Sequence, residues 1–156
     1  MKSAYLKNDI TSNVHLWRKT VKKDSLNAWK IWVFFIFLIA VFFGLATLVS
    51  GGSVLFVDGV SRQAAGAYVP FVVWSNFIAG FAYIIAGFGI LFRRQWSRWV
   101  SLGVLVFTLV VFAFLILHVM NGGAYESRTI YAMTLRATVW TVVSLTAWRA
   151  CRPQPQ

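Results

Sequence analysis

The stretch TIYAMTLRATVWTVVSLTAW, residues 129–148, decides the fold. It has the roughly 20 residues that a helix needs to cross about 30 Å of hydrocarbon, and its one charge is Arg136. A central arginine costs about 2.5–3.5 kcal/mol on insertion scales, an amount that the surrounding Leu, Val, Trp and Ala side chains can offset. The stretch is therefore read as a membrane span.

Three longer stretches free of Asp, Glu, Lys and Arg precede it, at residues 31–57, 63–92 and 99–125. Each exceeds the spanning length. The chain thus reads as an all-α integral membrane protein, a four-transmembrane-helix up-down bundle with helices at about 28–50, 69–92, 98–120 and 126–149. Residues 1–27 form a cytoplasmic basic amphipathic segment, 28–149 the membrane domain and 150–156 a cytoplasmic tail. The first stretch reads as a retained helix and not a cleaved signal, because some thirty residues, seven of them basic, precede it. Composition agrees: 59% of the 156 residues are hydrophobic and 12% are charged, about half the charged share of a soluble domain, which excludes a soluble enzyme.

The formal net charge is +11, from 15 Lys and Arg against 4 acids. In a soluble chain this would suggest nucleic acid, but twelve of the fifteen cations fall in three segments that the four spans place on one side. These are the N-terminal segment, the link holding Arg93, Arg94 and Arg98, and the tail holding Arg149 and Arg152. The opposite loops carry Arg62 and Arg128, balanced by Asp58 and Glu126. By the positive-inside rule both termini are cytoplasmic, an N-in/C-in protein of the cytoplasmic (inner) membrane of a bacterial-type cell. Trp29, Trp32, Trp96, Trp99 and Trp148 fall at the same interface as an aromatic belt. No nucleic-acid partner is expected.

Within the N-terminal segment, Leu6, Ile10, Val14, Trp17 and Val21 recur at helical spacing, with Arg18, Lys19, Lys22 and Lys23 beside or opposite them. Such a juxtamembrane helix can lie against anionic lipid headgroups or simply set topology. Asp24 or Ser25 is placed to cap the first span. In the second span Ser75, Ala79, Ala82, Ala86 and Gly89 line one face, and Asn76, Gly80, Tyr83 and Gly87 line the adjacent one. Small residues let helix backbones approach closely, within the bundle or at a seam with a protein partner or second copy. Gly51 and Gly52 read as breakers opening an outer loop that runs to about Val69 and holds a short interfacial turn of helix.

Asn121, Gly122 and Gly123 mark a tight hairpin between the last two spans. Folding there puts His118 level with Glu126, and Thr108 level with Arg136. A carboxylate beside an imidazole could accept a proton or help to ligate a metal, and Met120 and Met133 would add soft donors suited to Cu(I) if they converged. The competing expectation for His118 and Glu126 is an ordinary structural hydrogen bond near a wet interface. Arg136 lies about 15 Å below Glu126 at 1.5 Å per residue, too deep for a loop charge. Intramembrane cations usually face the bundle interior and have a partner. A cluster of Asn76, Tyr83, Thr108 and Arg136, open toward His118 and Glu126, is therefore the expected ligand or ion site; the alternative is an Arg136 that snorkels to headgroups.

Absences narrow the chemistry. One cysteine, Cys151, excludes an internal disulfide and a CxxC pair. One histidine in the spans excludes a bis-histidine haem. There is no phosphate loop, no HExxH and no convergent Ser, His and acid set. No cofactor is expected. Three functions remain: a non-enzymatic partner-binding, assembly or accessory subunit, which is the reading adopted; a small transporter or ligand-binding protein with an outward-facing site at Arg136, Glu126 and His118 for an anion or metal ion; and a lipid-modifying enzyme.

Overall fold

The computed structural model describes residues 2–57, 59, 63 and 66–151, with side chains described from Asn27 onward. Among these residues the protein is all-helical, and four helices are long and apolar enough to cross a membrane. It is a multi-pass membrane protein. The helices are α1 (Lys2–Phe56), α2 (Pro70–Leu91), α3 (Gln95–Met120) and α4 (Ser127–Ala150). The spanning part of α1 is Asn27–Phe56. The side chains of Arg18, Lys19, Lys22 and Lys23 lie outside the described residues, as do Asp58, Arg62 and residues 152–156.

Two boundaries of the first helix differ from expectation. Asp24 and Ser25 do not start a new helix, and Gly51 and Gly52 do not end one. With no proline between residues 2 and 56, nothing removes a backbone donor. In hydrocarbon every backbone polar group must also close its bond internally, so a glycine pair costs less helix than it does in water. Gly51 is buried against Phe77 of α2, where a methyl group would come within 3.4 Å of the ring stem. The loop between α1 and α2 is shorter for it. Within it the Gln63 amide donates to the Gly59 carbonyl at 3.0 Å and the Gly66 amide to the Gln63 carbonyl at 3.1 Å.

The contacts divide the chain into two compact units, one ending at Phe34 and one beginning at Phe35. The first is the N-terminal part of α1. The second holds the rest. Within it α1 meets α2 through Gly44 and Gly80, whose backbones face each other without intervening side chains, and again through Ala40 and Gly87. On the other face of α2, Gly89 sits on Ser97 of α3, and the Ser97 hydroxyl donates to the Ala86 carbonyl at 3.1 Å. Gly80, Ala86 and Gly89 are thus spent inside the bundle. Ala79 and Ala82 line an apolar groove of ≈ 290 Å³ beside Gly103, and Ser75 is half-buried.

Helices α3 and α4 pack side by side in the register that a fold at Gly122 requires. The Ser144 hydroxyl donates to the Ser101 carbonyl at 3.0 Å, and Trp99 meets Trp148 at 5.6 Å with the Arg98 guanidinium over both rings. The buried core runs through Ile36, Tyr83, Ile90, Trp140 and Val143, with a cluster of Val69, Val72, Val111, Leu115 and Met133 toward the loops. Cys151 closes α4 and is buried; that burial pushes its thiol above the ordinary value, against the opposing pull of Arg93 and Arg98.

The ends of α2 and α3 use the same device. After α3, the Gly123 amide donates to the His118 carbonyl and the Gly122 amide to the Val119 carbonyl, with Gly122 at φ +77°. This is a Schellman motif on its usual glycine. After α2 the same two bonds run from Arg94 to Gly89 and from Arg93 to Ile90, but the left-handed residue is Arg93, at φ +50°. A side chain there costs about 1 kcal/mol. Arg93→Gly is expected to stabilise the fold by about 0.5–1 kcal/mol, read as a higher midpoint in thermal unfolding; a lower midpoint would mean that the arginine head contributes more than its backbone strain costs.

Candidate functional site

Arg136 occupies the middle of α4 and shares a helical face with Thr129, Met133 and Trp140, seven and three residues before it and four after it. Met133 and Trp140 are fully buried, so this face turns to the core and carries the guanidinium with it. Nη1 reaches the Met133 sulfur at 4.0 Å, a long contact to a weak acceptor, while Nε is buried with no hydrogen-bond partner. An unpartnered buried donor on a charged group is among the costlier features a fold can retain.

The space before it is a cavity of ≈ 350 Å³ framed by three helices. From α1 come Thr47, Ser50, Gly51 and Val54; from α2 and its entry come Tyr68, Val72, Val73 and Asn76; from α4 come Arg128, Thr129, Ala132 and Arg136. No carboxylate is among these described residues. Beneath the cavity Tyr83 packs on Trp140 at 4.6 Å between ring centres, with its hydroxyl near Thr108 and within electrostatic reach of Arg136. Neither the Tyr83 hydroxyl nor the Trp140 indole nitrogen closes a hydrogen bond. The four expected residues therefore stand in two layers: Asn76 and Arg136 line the cavity, and Tyr83 and Thr108 form a buried floor behind the guanidinium.

His118 and Glu126 do not join them, nor do they meet each other. Equal height along a hairpin fixes depth but not direction, and here each side chain is held by backbone. His118 Nε2 lies 3.2 Å from the Ala124 carbonyl, its ring filling the place where a Gly123 side chain would stand. Glu126 Oε1 accepts the Ala67 amide at 3.1 Å and presses on Gly66, so the carboxylate ties the outer loop to the start of α4. The soft-metal set is dispersed as well. Met133 is fully buried in the apolar cluster and Met120 is 76% exposed, and no group of three His, Cys, Asp or Glu gathers among the described residues.

The Glu126 latch carries a prediction. Gly66 stands at φ +62°, and an added methyl group there would meet the Glu126 carboxylate. Gly66→Ala is strained twice over, and Glu126→Ala leaves the Ala67 amide unpaired. Either substitution is expected to speed hydrogen exchange at the Ala67 amide about tenfold or more, the equivalent of roughly 1.4 kcal/mol of lost protection. Unchanged exchange in Glu126→Ala would remove the latch.

Sequence reasoning missed the contribution of α1. Thr47 and Ser50 were visible as two of the three hydroxyls in the otherwise apolar stretch 31–57, spaced three apart. Nothing in the sequence pairs them with α4. Comparison with protein families, with curated proteins and with solved structures found no match to this chain.

Proposed function

We propose that the protein is an oxyanion-binding protein of the cytoplasmic membrane of a bacterial-type cell, threaded up-down with both termini in the cytoplasm. The observation that carries the binding reading is Arg136: a cation on a core-facing stripe of a membrane helix, lining a cavity of ≈ 350 Å³ whose described residues include no carboxylate. A guanidinium presents five donors in a planar fork that matches phosphate and carboxylate oxygens. Thr47, Ser50, Asn76 and Thr129 add hydroxyl and amide groups around it. The threading rests on twelve of the fifteen cations falling in segments on one side.

This reading stands ahead of partner binding through α2, because Gly80, Ala86 and Gly89 are already consumed by α1 and α3. It stands ahead of metal binding because His118 and Glu126 are both engaged with backbone.

The test is titration of the full solubilised chain with inorganic phosphate, read as saturable binding and as a rise in thermal unfolding midpoint that follows ligand concentration. Phosphate that neither saturates nor shifts the midpoint would end the oxyanion reading.

A further inference from the structure

A second hollow lies along the same pair of helices. Ile36 and Ile39 of α1 and Thr138, Val139, Val142 and Val143 of α4 bound a mostly apolar groove of ≈ 220 Å³. Ile39 and Val142 are 43% and 42% exposed, so the groove opens to the surroundings of the bundle. On α4 it begins at Thr138, two residues beyond Arg136, a step of about 3 Å. The polar cavity and the apolar groove therefore follow one another along α1 and α4, the cavity at residues 47–54 and 128–136 and the groove at 36–39 and 138–143.

We infer that the ligand is an anionic phospholipid, its glycerophosphate headgroup in the Arg136 cavity and one acyl chain in the α1–α4 groove. This rests on the oxyanion reading and specifies its ligand. Charge complementarity selects the headgroup, since the cationic Arg136 lines the cavity. The size and polarity of the chamber select a headgroup with several oxygens over a bare carboxylate, for a single carboxylate would leave Thr47, Asn76 and Thr129 idle. The groove selects a chain-bearing molecule, because an apolar slot open to lipid is filled by lipid. Lipid tails are as apolar as the groove's side chains, so the chain adds contact and shape selectivity, and the headgroup supplies most of the discrimination.

The experiment is native mass spectrometry of the full chain after mild solubilisation, with three probes: lysophosphatidic acid, lysophosphatidylcholine and inorganic phosphate. The wild type is expected to retain lysophosphatidic acid about tenfold better than lysophosphatidylcholine, as one charge-assisted hydrogen bond implies. Arg136→Gln is expected to abolish that preference. Val139→Phe, which fills the groove, is expected to lower lysophosphatidic acid retention about fivefold and leave phosphate binding unchanged. Ile39→Ala, which strips one wall of the groove without overpacking it, should act in the same direction and serves if Val139→Phe does not fold. If phosphate binds, and both groove variants retain lysophosphatidic acid as the wild type does, the lipid assignment falls while the oxyanion reading stands. If neither anionic probe is retained, or Arg136→Gln changes nothing, both fall.

Discussion

Arg136→Leu is expected to insert more readily than the wild type and to weaken the proposed phosphate binding about tenfold to a hundredfold. The two effects have one cause. On insertion scales a central arginine is unfavourable by about 2.5–3.5 kcal/mol, while leucine is favourable by about 0.5 kcal/mol, so the substitution lowers the insertion cost of α4 by roughly 3 kcal/mol. The same change deletes the fork of charged donors at the cavity, and each hydrogen bond to a charged group contributes about 1.5–3 kcal/mol. A residue that only served the fold would not show this inverse pattern. Leucine also has no side-chain donor, so the unpartnered Nε is removed with the guanidinium.

Arg136→Lys separates charge from geometry. A lysine keeps the positive charge but presents a point charge on a flexible stem in place of a planar fork. Binding is expected to fall about tenfold relative to arginine and to stay above that of leucine. The measurements are phosphate titration of the three purified proteins together with the membrane-inserted fraction of each. Leucine and wild type binding phosphate equally well would refute the role of Arg136, and equal binding by lysine and arginine would reduce it to a bare charge.

How much of this was legible in the sequence differs from one helix to the next. The spans were legible because charged residues mark their ends: Arg93 and Arg94 lie in the α2–α3 link, Arg98 in the first turn of α3, and Glu126 immediately before α4. The unbroken run of α1 through Gly51 and Gly52 was not. Breaker rules come from helices in water, and they ignore both the internal closure of backbone bonds in lipid and the Phe77 side chain packed on Gly51. At the site, Thr108 and Arg136 could be paired because a hairpin fixes depth, and Asn76 and Tyr83 could be added by counting inward from Pro70 at the start of α2. His118 and Glu126 could not be oriented by the same rule. Where they point depends on the backbone of Ala124 and Ala67, in loops that carry no periodicity. Thr47 and Ser50 belong to the site through the packing of α1 near α4, two helices far apart in sequence.

The Gly44–Gly80 crossing should respond to a single methyl group. On Gly80 it would come within 2.9 Å of Leu48 Cγ and 3.2 Å of the Gly44 carbonyl oxygen; on Gly44, within 2.8 Å of Ile84 Cγ1 and 3.0 Å of the Gly80 carbonyl oxygen. Leu48 and Ile84 can turn aside, but the carbonyls are backbone, so the helices must separate. Overpacking of this kind costs about 1–3 kcal/mol. In water part of that loss would be offset by alanine's better helix propensity, worth about 1 kcal/mol. In a membrane the separated helices are already formed before they pack, so little of that gain is recovered. Gly80→Ala and Gly44→Ala are each expected to destabilise by about 1–3 kcal/mol, read by reversible unfolding in mixed micelles. Gly103→Ala is the control, because nothing lies within 4 Å of its added methyl group, and it is expected to change stability by less than about 0.5 kcal/mol. The double variant should fall short of the sum, since one separation relieves both clashes. Thr47 stands one turn beyond Gly44 and lines the cavity, so moving α1 off α2 also displaces a cavity wall. Phosphate affinity should therefore drop in Gly80→Ala although no residue at the cavity has changed. If Gly80→Ala matches Gly103→Ala in both stability and affinity, close approach at this crossing neither holds the bundle nor shapes the site.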